Sequence, residues 1–249
     1  MTPTVTETLR DRLWSPADPA ALAAFRVLFG AVMAFATVRF WLNGWIDSIY
    51  LEPDFHFTYA WFPWVAPLPS AWLHFVFLLM GISAVFIALG AWTRRSAAVF
   101  FVLFTYTELI EKAAYLNHYY LVSILGLLLV FIPTDRVWAV TPSPAKPEGP
   151  VVPLGVYWFL RTQVGLVYFF AGFAKINGDW LLRAEPLRTW LQNSAHIPFF
   201  GPILATEPTA FLMSWSGALF DLTIWAWLLW GRTRAVAFIV AVLFHVIVW

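Results

Sequence analysis

Cysteine is absent from this chain of 249 residues. That excludes disulfides, thiolate catalysis, iron–sulfur clusters and zinc sites built on Cys. Charge is scarce too, at 12% of residues, about half of what a soluble domain carries. The net charge is +1, so there is no basic field for a nucleic acid. The first residues (MTPTVTETLRDRLWSPADP) are polar and include acids, and they lack the basic start and apolar core of a cleavable signal. There is no internal repeat, Gly-rich phosphate loop, Walker motif or HExxH. The histidines are too scattered to argue for a metal site, and none is predicted.

What fills the chain instead is apolar: 61% hydrophobic residues, 19% aromatic, and 16 tryptophans. No soluble fold of this length hides such an excess, so a bilayer must solvate much of it. Tryptophan in this abundance suits interfacial aromatic belts. Seven apolar segments are candidate spans: Ala20–Leu42, Ala71–Trp92, Ser96–Lys112, Tyr119–Ile132, Val152–Ala174, Ala210–Trp230 and Ala235–Trp249. The expected fold is therefore all-α, a polytopic transmembrane helix bundle of about seven spans. It follows a cytoplasmic N-terminal segment, residues 1–19, and fills residues 20–249. The last segment is too short for a comfortable crossing, which predicts a chain cut within a helix.

Lys and Arg in short loops set orientation. Arg10, Arg12, Arg94, Arg95, Arg136, Lys146, Arg232 and Arg234 fall on one side. The opposite side has Arg183 and Arg188, with Lys112 and Lys175 near helix ends, and its first loop (Asn43–Ser70) holds only acids. The N-terminus is thus expected in the cytoplasm, with the protein in the inner (plasma) membrane and Lys112 toward the extracytoplasmic face. The loops Asn43–Ser70 and Asn177–Thr209 are rich in Trp, Phe and Pro, and short interfacial helices and turns are expected in both.

Ionisable residues inside a membrane are costly, so each is a functional hypothesis. The run TELIEKAAYLNHYY (107–120) concentrates them. On a continuous helix Glu108 and Lys112, four residues apart, would share a face and pair. An apolar pocket would favour the neutral amine and a paired carboxylate the ammonium. That balance decides whether Lys112 is a resting cation or a usable base. Glu111, Asn117 and His118 complete a candidate acid–base set. The plainer alternative has Lys112 snorkelling to the interface and Asn117 and His118 capping the turn.

Other polar groups follow the same logic. Arg26 is a candidate buried ion-pair partner for Asp221 or Glu108, with plain snorkelling as the alternative. Arg161, Gln163, Tyr168 and Lys175 are candidates to line the bundle interior and hold a bound cofactor. Asp221 must be paired or protonated at its depth. His245 is expected to hydrogen-bond a neighbouring helix. His56, in an aromatic outer loop, is a candidate to dip into the site, with interfacial packing as the alternative.

The strings FRVLFGAVM (25–33), RFWLNGWIDSIYLEPDFHFTYAWFPWVAPLP (39–69), LGAWTRR (89–95), ELIEKAAYLNHYYLVSILGLLLVFIP (108–133), RTQVGLVYFFAGFAKINGDWL (161–181) and FDLTIWAWLLWGRTR (220–234) resemble, in collinear order, the membrane domain of the vitamin K-dependent γ-carboxylase family. This is the horizontally transferred transmembrane (HTTM) domain. The resemblance implies a lyase that carboxylates glutamyl residues of a protein substrate with carbon dioxide. It couples this to oxygenation of vitamin K hydroquinone or a related reduced quinone. In that family a lysine within an acid-Lys pair, followed shortly by Asn-His, deprotonates the hydroquinone. Glu111-Lys112 and Asn117-His118 match that pattern, so Lys112 takes the base role by resemblance. The first acid is Glu here where the animal enzyme is associated with Asp. The family's large extramembrane region after the helices, which binds the protein substrate, has no counterpart in these strings.

Two readings of function stand at this point. In one the chain is an enzyme whose Lys112 deprotonates a hydroquinone ahead of oxygen addition. In the other it is a non-catalytic membrane protein that binds a quinone or lipid in the same pocket. Aromatic richness suits a flat quinone ring in either case.

Overall fold

The computed structural model describes residues 5–144 and 149–248. Lys146, counted above among the cytoplasmic charges, and the terminal Trp249 lie outside them, as do residues 1–4 of the N-terminal segment. The chain divides into two compact units, residues 1–157 and 158–249.

The first unit opens with the short helix α1 (Val5–Trp14), followed by α2 (Ala20–Leu42), α3 (Ser70–Leu89), α4 (Thr93–Ile110) and α5 (Asn117–Phe131). Successive helices from α2 to α5 pack on one another. The α2 sequence places Leu22, Arg26, Phe29, Met33 and Thr37 on one buried stripe. Its opposite face exposes Leu28, Val32, Phe35 and Leu42. A helix apolar all round is either a deep core helix or a membrane span, and with so much apolar surface exposed α2 has the length and composition of a span. Phe29, Phe77, Phe100 and Phe104 centre the core of this unit. Gly30 lets α2 touch α3 directly, because a Cβ there would stand 2.4 Å from the Ala88 nitrogen.

The C-terminus of α3 is closed by Gly90, in the left-handed region at φ +70, where glycine carries no Cβ penalty. Arg26, fully buried, donates there to the carbonyls of Ile87 and Ala88, each at 2.8 Å. It also donates to Thr134 O (3.2 Å) and to Trp138 O. The expectation of an ion pair to Asp221 or Glu108 is corrected by these contacts. The guanidinium instead donates to backbone carbonyls at the end of α3 and in the segment after α5.

The second unit contains α6 (Leu154–Ala174, which begins just before the boundary), the short helices α7 (Gly178–Arg183), α8 (Leu187–Asn193) and α9 (Gly201–Leu204), then α10 (Glu207–Leu229) and α11 (Arg234–Val248). Short helices thus occupy the loop after α6, as its aromatic and proline content predicts. Trp180 ties α7 to α10. Its indole N–H donates to Ser214 O at 2.8 Å, and the Ser214 hydroxyl donates back to Trp180 O at 2.5 Å.

All seven apolar segments are helical, within a few residues of their expected ends. Among the described residues three of these helices, α2, α3 and α10, are long and apolar enough to cross a membrane; α5 and α11 are shorter apolar helices. The fold is mostly helical, and the all-α expectation needs one small amendment. Pro16–Ala17 and Val152–Pro153 form a two-residue antiparallel pairing in the first unit.

Candidate functional site

The third apolar segment does not run as a helix to Lys112. It stops at Ile110, and Glu111 adopts an extended backbone (φ −132, ψ 104). The reason lies in the outer loop 43–69. The N–H of Lys112 donates to Phe57 O at 2.7 Å. The N–H of Phe57 donates to the Glu111 carboxylate at 3.2 and 3.3 Å. The same carboxylate accepts from Ala113 N–H at 2.7 Å, which starts the single turn Lys112–Ala114. Glu111 is thus a buried clamp between loop and hairpin, and the chain leaves the helix to make it.

This geometry corrects the expected Glu108–Lys112 pairing. With the helix broken between them the two do not share a face, and no ion pair to Lys112 occurs among the described residues. Lys112 is exposed, and its Nζ lies 5.9 Å from the centre of the Tyr59 ring, a cation–π distance. Asn117 and His118 are both exposed. Neither caps the helix they begin, since α5 has no side-chain N-cap bond. His118 meets Tyr119 edge-on at 4.6 Å. His56 is half-buried, with a buried Nε2 that has no hydrogen-bond partner among the described residues.

Beside this hairpin lies a cavity of about 400 Å³. Its walls are Phe101, Thr105, Glu108 and Leu109 from α4, Tyr120, Ser123, Ile124 and Leu127 from α5, Tyr115 from the hairpin, and Tyr59 from the outer loop. The cavity falls in the usual ligand-pocket range of about 300–1,000 Å³. Its make-up is also usual for a ligand pocket: apolar and aromatic walls with few polar groups. Glu108 is the carboxyl group on its lining, while Lys112 is not among the lining residues and lies by the Tyr59 ring. Burial first, then the Glu108 carboxylate, pushes the Tyr59 phenol above its ordinary range. The same two causes act on Tyr50. Both therefore stay neutral phenols at physiological pH.

Thr105, Ser123 and the three tyrosines were not among the residues singled out from sequence. Their signal was nevertheless present. Residues 101, 105, 108 and 109 recur at helical spacing on one face of α4, and 120, 123, 124 and 127 do so on α5.

The second unit gathers part of the other set. Lys175 Nζ lies 2.5 Å from Asp221 Oδ2, so the deep carboxylate is paired. The same ammonium donates to Ala171 O (3.2 Å) and sits 5.0 Å from the Trp180 ring. Tyr168 and His245 hydrogen-bond at 2.8 Å between α6 and α11, the inter-helix bond expected of His245. Both line a largely apolar cavity of about 560 Å³. Gln163 is half-buried and Arg161 exposed. Neither is on that lining, and Arg161 lies 5.5 Å from the Trp158 ring.

No group of three or more His, Asp or Glu capable of holding a metal occurs among the described residues. No solved structure matches the chain. The family model of the HTTM domain matches residues 14–248, nearly the whole of the helical region described above, and the chain belongs to the HTTM domain family.

Proposed function

We propose that this protein is a vitamin K-dependent γ-carboxylase-like membrane enzyme that deprotonates and oxygenates a reduced quinone. It crosses the plasma membrane seven times with its N-terminus in the cytoplasm and its reactive hairpin toward the extracytoplasmic face. The family assignment supports this reading, and so does the bias of Lys and Arg toward one set of loops. The observation that carries it is the aromatic cavity between α4 and α5, with Lys112 held at its Tyr59 wall.

The substrate fits the site on its chemistry. A flat hydroquinone ring stacks on tyrosine and phenylalanine faces, and its two hydroxyls, para to one another, need polar partners at both ends of the ring. Lys112, in its amine form, accepts a ring hydroxyl proton. Glu111 positions Lys112 through the backbone clamp on Phe57. When bound, the hydroquinone supplies the electrons that reduce dioxygen, and the base so generated takes a proton from a carbon acid. In the carboxylase reading that acid is a glutamyl γ-carbon, and carbon dioxide adds to it.

The test is oxygen uptake by the purified chain in lipid nanodiscs supplied with a reduced naphthoquinone. Uptake above the autoxidation background is expected, and Lys112→Ala is expected to abolish it. A wild-type protein that consumes no oxygen would leave a quinone- or lipid-binding protein without catalysis, and would overturn the proposal.

A further inference from the structure

One wall of the α4–α5 cavity carries a buried hydroxyl without a partner among the described residues. Hydroxyls in apolar helices commonly turn back onto a carbonyl one turn earlier. Thr37 does so to Met33 O (2.8 Å), Ser83 to Leu79 O (2.7 Å) and Thr107 to Phe104 O (2.8 Å). Thr105 does not: its hydroxyl oxygen is buried and makes no hydrogen bond among the described residues. Thr93 and Thr134 share that condition, but Thr105 is the one of the three on the wall of this cavity. Glu108 stands three residues on, which puts both side chains on one helix face about 5–6 Å apart. Its carboxyl also faces the cavity and makes no ion pair among the described residues. A buried hydroxyl left without a partner in an apolar setting is costly unless something satisfies it, and the Glu108 carboxyl faces the same space.

We infer that Thr105 and Glu108 are the specificity-determining residues of the cavity and that they recognise a phenolic hydroxyl. The Glu108 carboxylate accepts the ring O–H, and the Thr105 hydroxyl donates to the same ring oxygen. This rests on the reading of the cavity as a quinol site and gives that site a redox sense. A reduced ring offers a hydroxyl hydrogen to Glu108. An oxidised ring offers only carbonyl oxygen, which a carboxylate repels. With Glu108 ionised, the cavity therefore holds the reduced ring in preference to the oxidised one.

The experiment measures binding of three probes to the full chain in nanodiscs by equilibrium dialysis, with empty nanodiscs subtracted. The probes are 1-naphthol, 1-methoxynaphthalene (the same ring without the donor) and 1,4-naphthoquinone. A hydrogen bond to a charged group predicts that naphthol binds about tenfold or more tighter than the methyl ether. Naphthoquinone should bind more weakly than naphthol. Glu108→Met should bring the naphthol-to-ether ratio close to unity while ether affinity holds. The isosteric Thr105→Val should lower that ratio by a smaller factor, about threefold to tenfold. A wild-type ratio near unity, a ratio that survives both substitutions, or naphthoquinone binding tighter than naphthol would each overturn the inference. Lys112-dependent oxygen uptake by a protein with an unselective cavity would sink this inference and leave the quinol reading standing. Selective naphthol binding without oxygen uptake would do the reverse.

Discussion

Removing the Glu111 carboxylate should free the outer loop from the hairpin. In the structure that carboxylate accepts from Ala113 N–H at 2.7 Å and from Phe57 N–H at 3.2 and 3.3 Å, and the residue is only 9% exposed. Hydrogen bonds to a charged group contribute about 1.5–3 kcal/mol each. The bond to Phe57 is long and shared between two oxygens, so it belongs at the lower end. Glu111→Ala should then weaken local closure by about 2–4 kcal/mol, which corresponds to amide exchange roughly 30-fold to several hundred-fold faster. Glu111→Gln keeps one acceptor but turns an N–H₂ toward the Phe57 N–H, and should lose about half as much. The assay is hydrogen exchange in nanodiscs, read on peptides covering residues 55–59 and 111–115. Faster exchange at Phe57, Lys112 and Ala113 with the helix cores unchanged is the expected result. Unchanged exchange at those positions would refute the clamp, and would return Glu111 to a direct role beside Lys112.

Three further expectations follow from other contacts. Arg26→Leu takes a donor from the Ile87, Ala88, Thr134 and Trp138 carbonyls, of which Ile87 keeps the Gly90 N–H, and should destabilise the first unit by about 3–5 kcal/mol. Reversible denaturation in mixed micelles reads this, and a loss below about 1 kcal/mol would contradict the carbonyl cage. Asp221→Asn strands the Lys175 ammonium and should cost about 2–4 kcal/mol, less than a fully dry pair because Lys175 is one-fifth exposed. Replacing both partners by apolar residues should recover much of that loss, and a double variant no better than the single one would argue against pairing. Glu108→Gln removes a negative charge that holds the Tyr59 phenol up. Phenolate is the anionic form, so Tyr59 should ionise at lower pH in the variant. The reading is near-ultraviolet phenolate absorbance, with Tyr59→Phe as the subtraction, and an unmoved titration would contradict the proximity of the two groups.

The helices were legible in the sequence because hydropathy is a one-dimensional signal. All seven apolar runs are helical, and α2 keeps its expected ends, Ala20 and Leu42. Local chemistry at helix ends was less legible. The break after Ile110 comes from a hydrogen-bond exchange with Phe57, more than fifty residues away, and helical spacing alone carries Glu108 and Lys112 onto a face that does not exist. Arg26 was misread for a related reason. An intramembrane arginine suggests a carboxylate partner, whereas its actual partners are backbone carbonyls, which no side-chain pattern advertises. Asp221 and His245 were read correctly as groups needing partners, and their partners proved to be Lys175 and Tyr168. Thr105 escaped notice because a single threonine in an apolar run is usually satisfied by its own helix. Only the geometry separates it from Thr107, two residues away.

The central claim is that Lys112 is the base acting on a ring bound in the α4–α5 cavity. Its most direct test is the rate of oxygen consumption by Lys112→Ala against wild type, at saturating reduced naphthoquinone and with ring affinity measured in parallel. Because Lys112 stands against the Tyr59 wall rather than on the cavity lining, the account predicts a rate lower by about 10²–10⁴ with affinity little changed. A wild-type rate above autoxidation that Lys112→Ala leaves intact would contradict it.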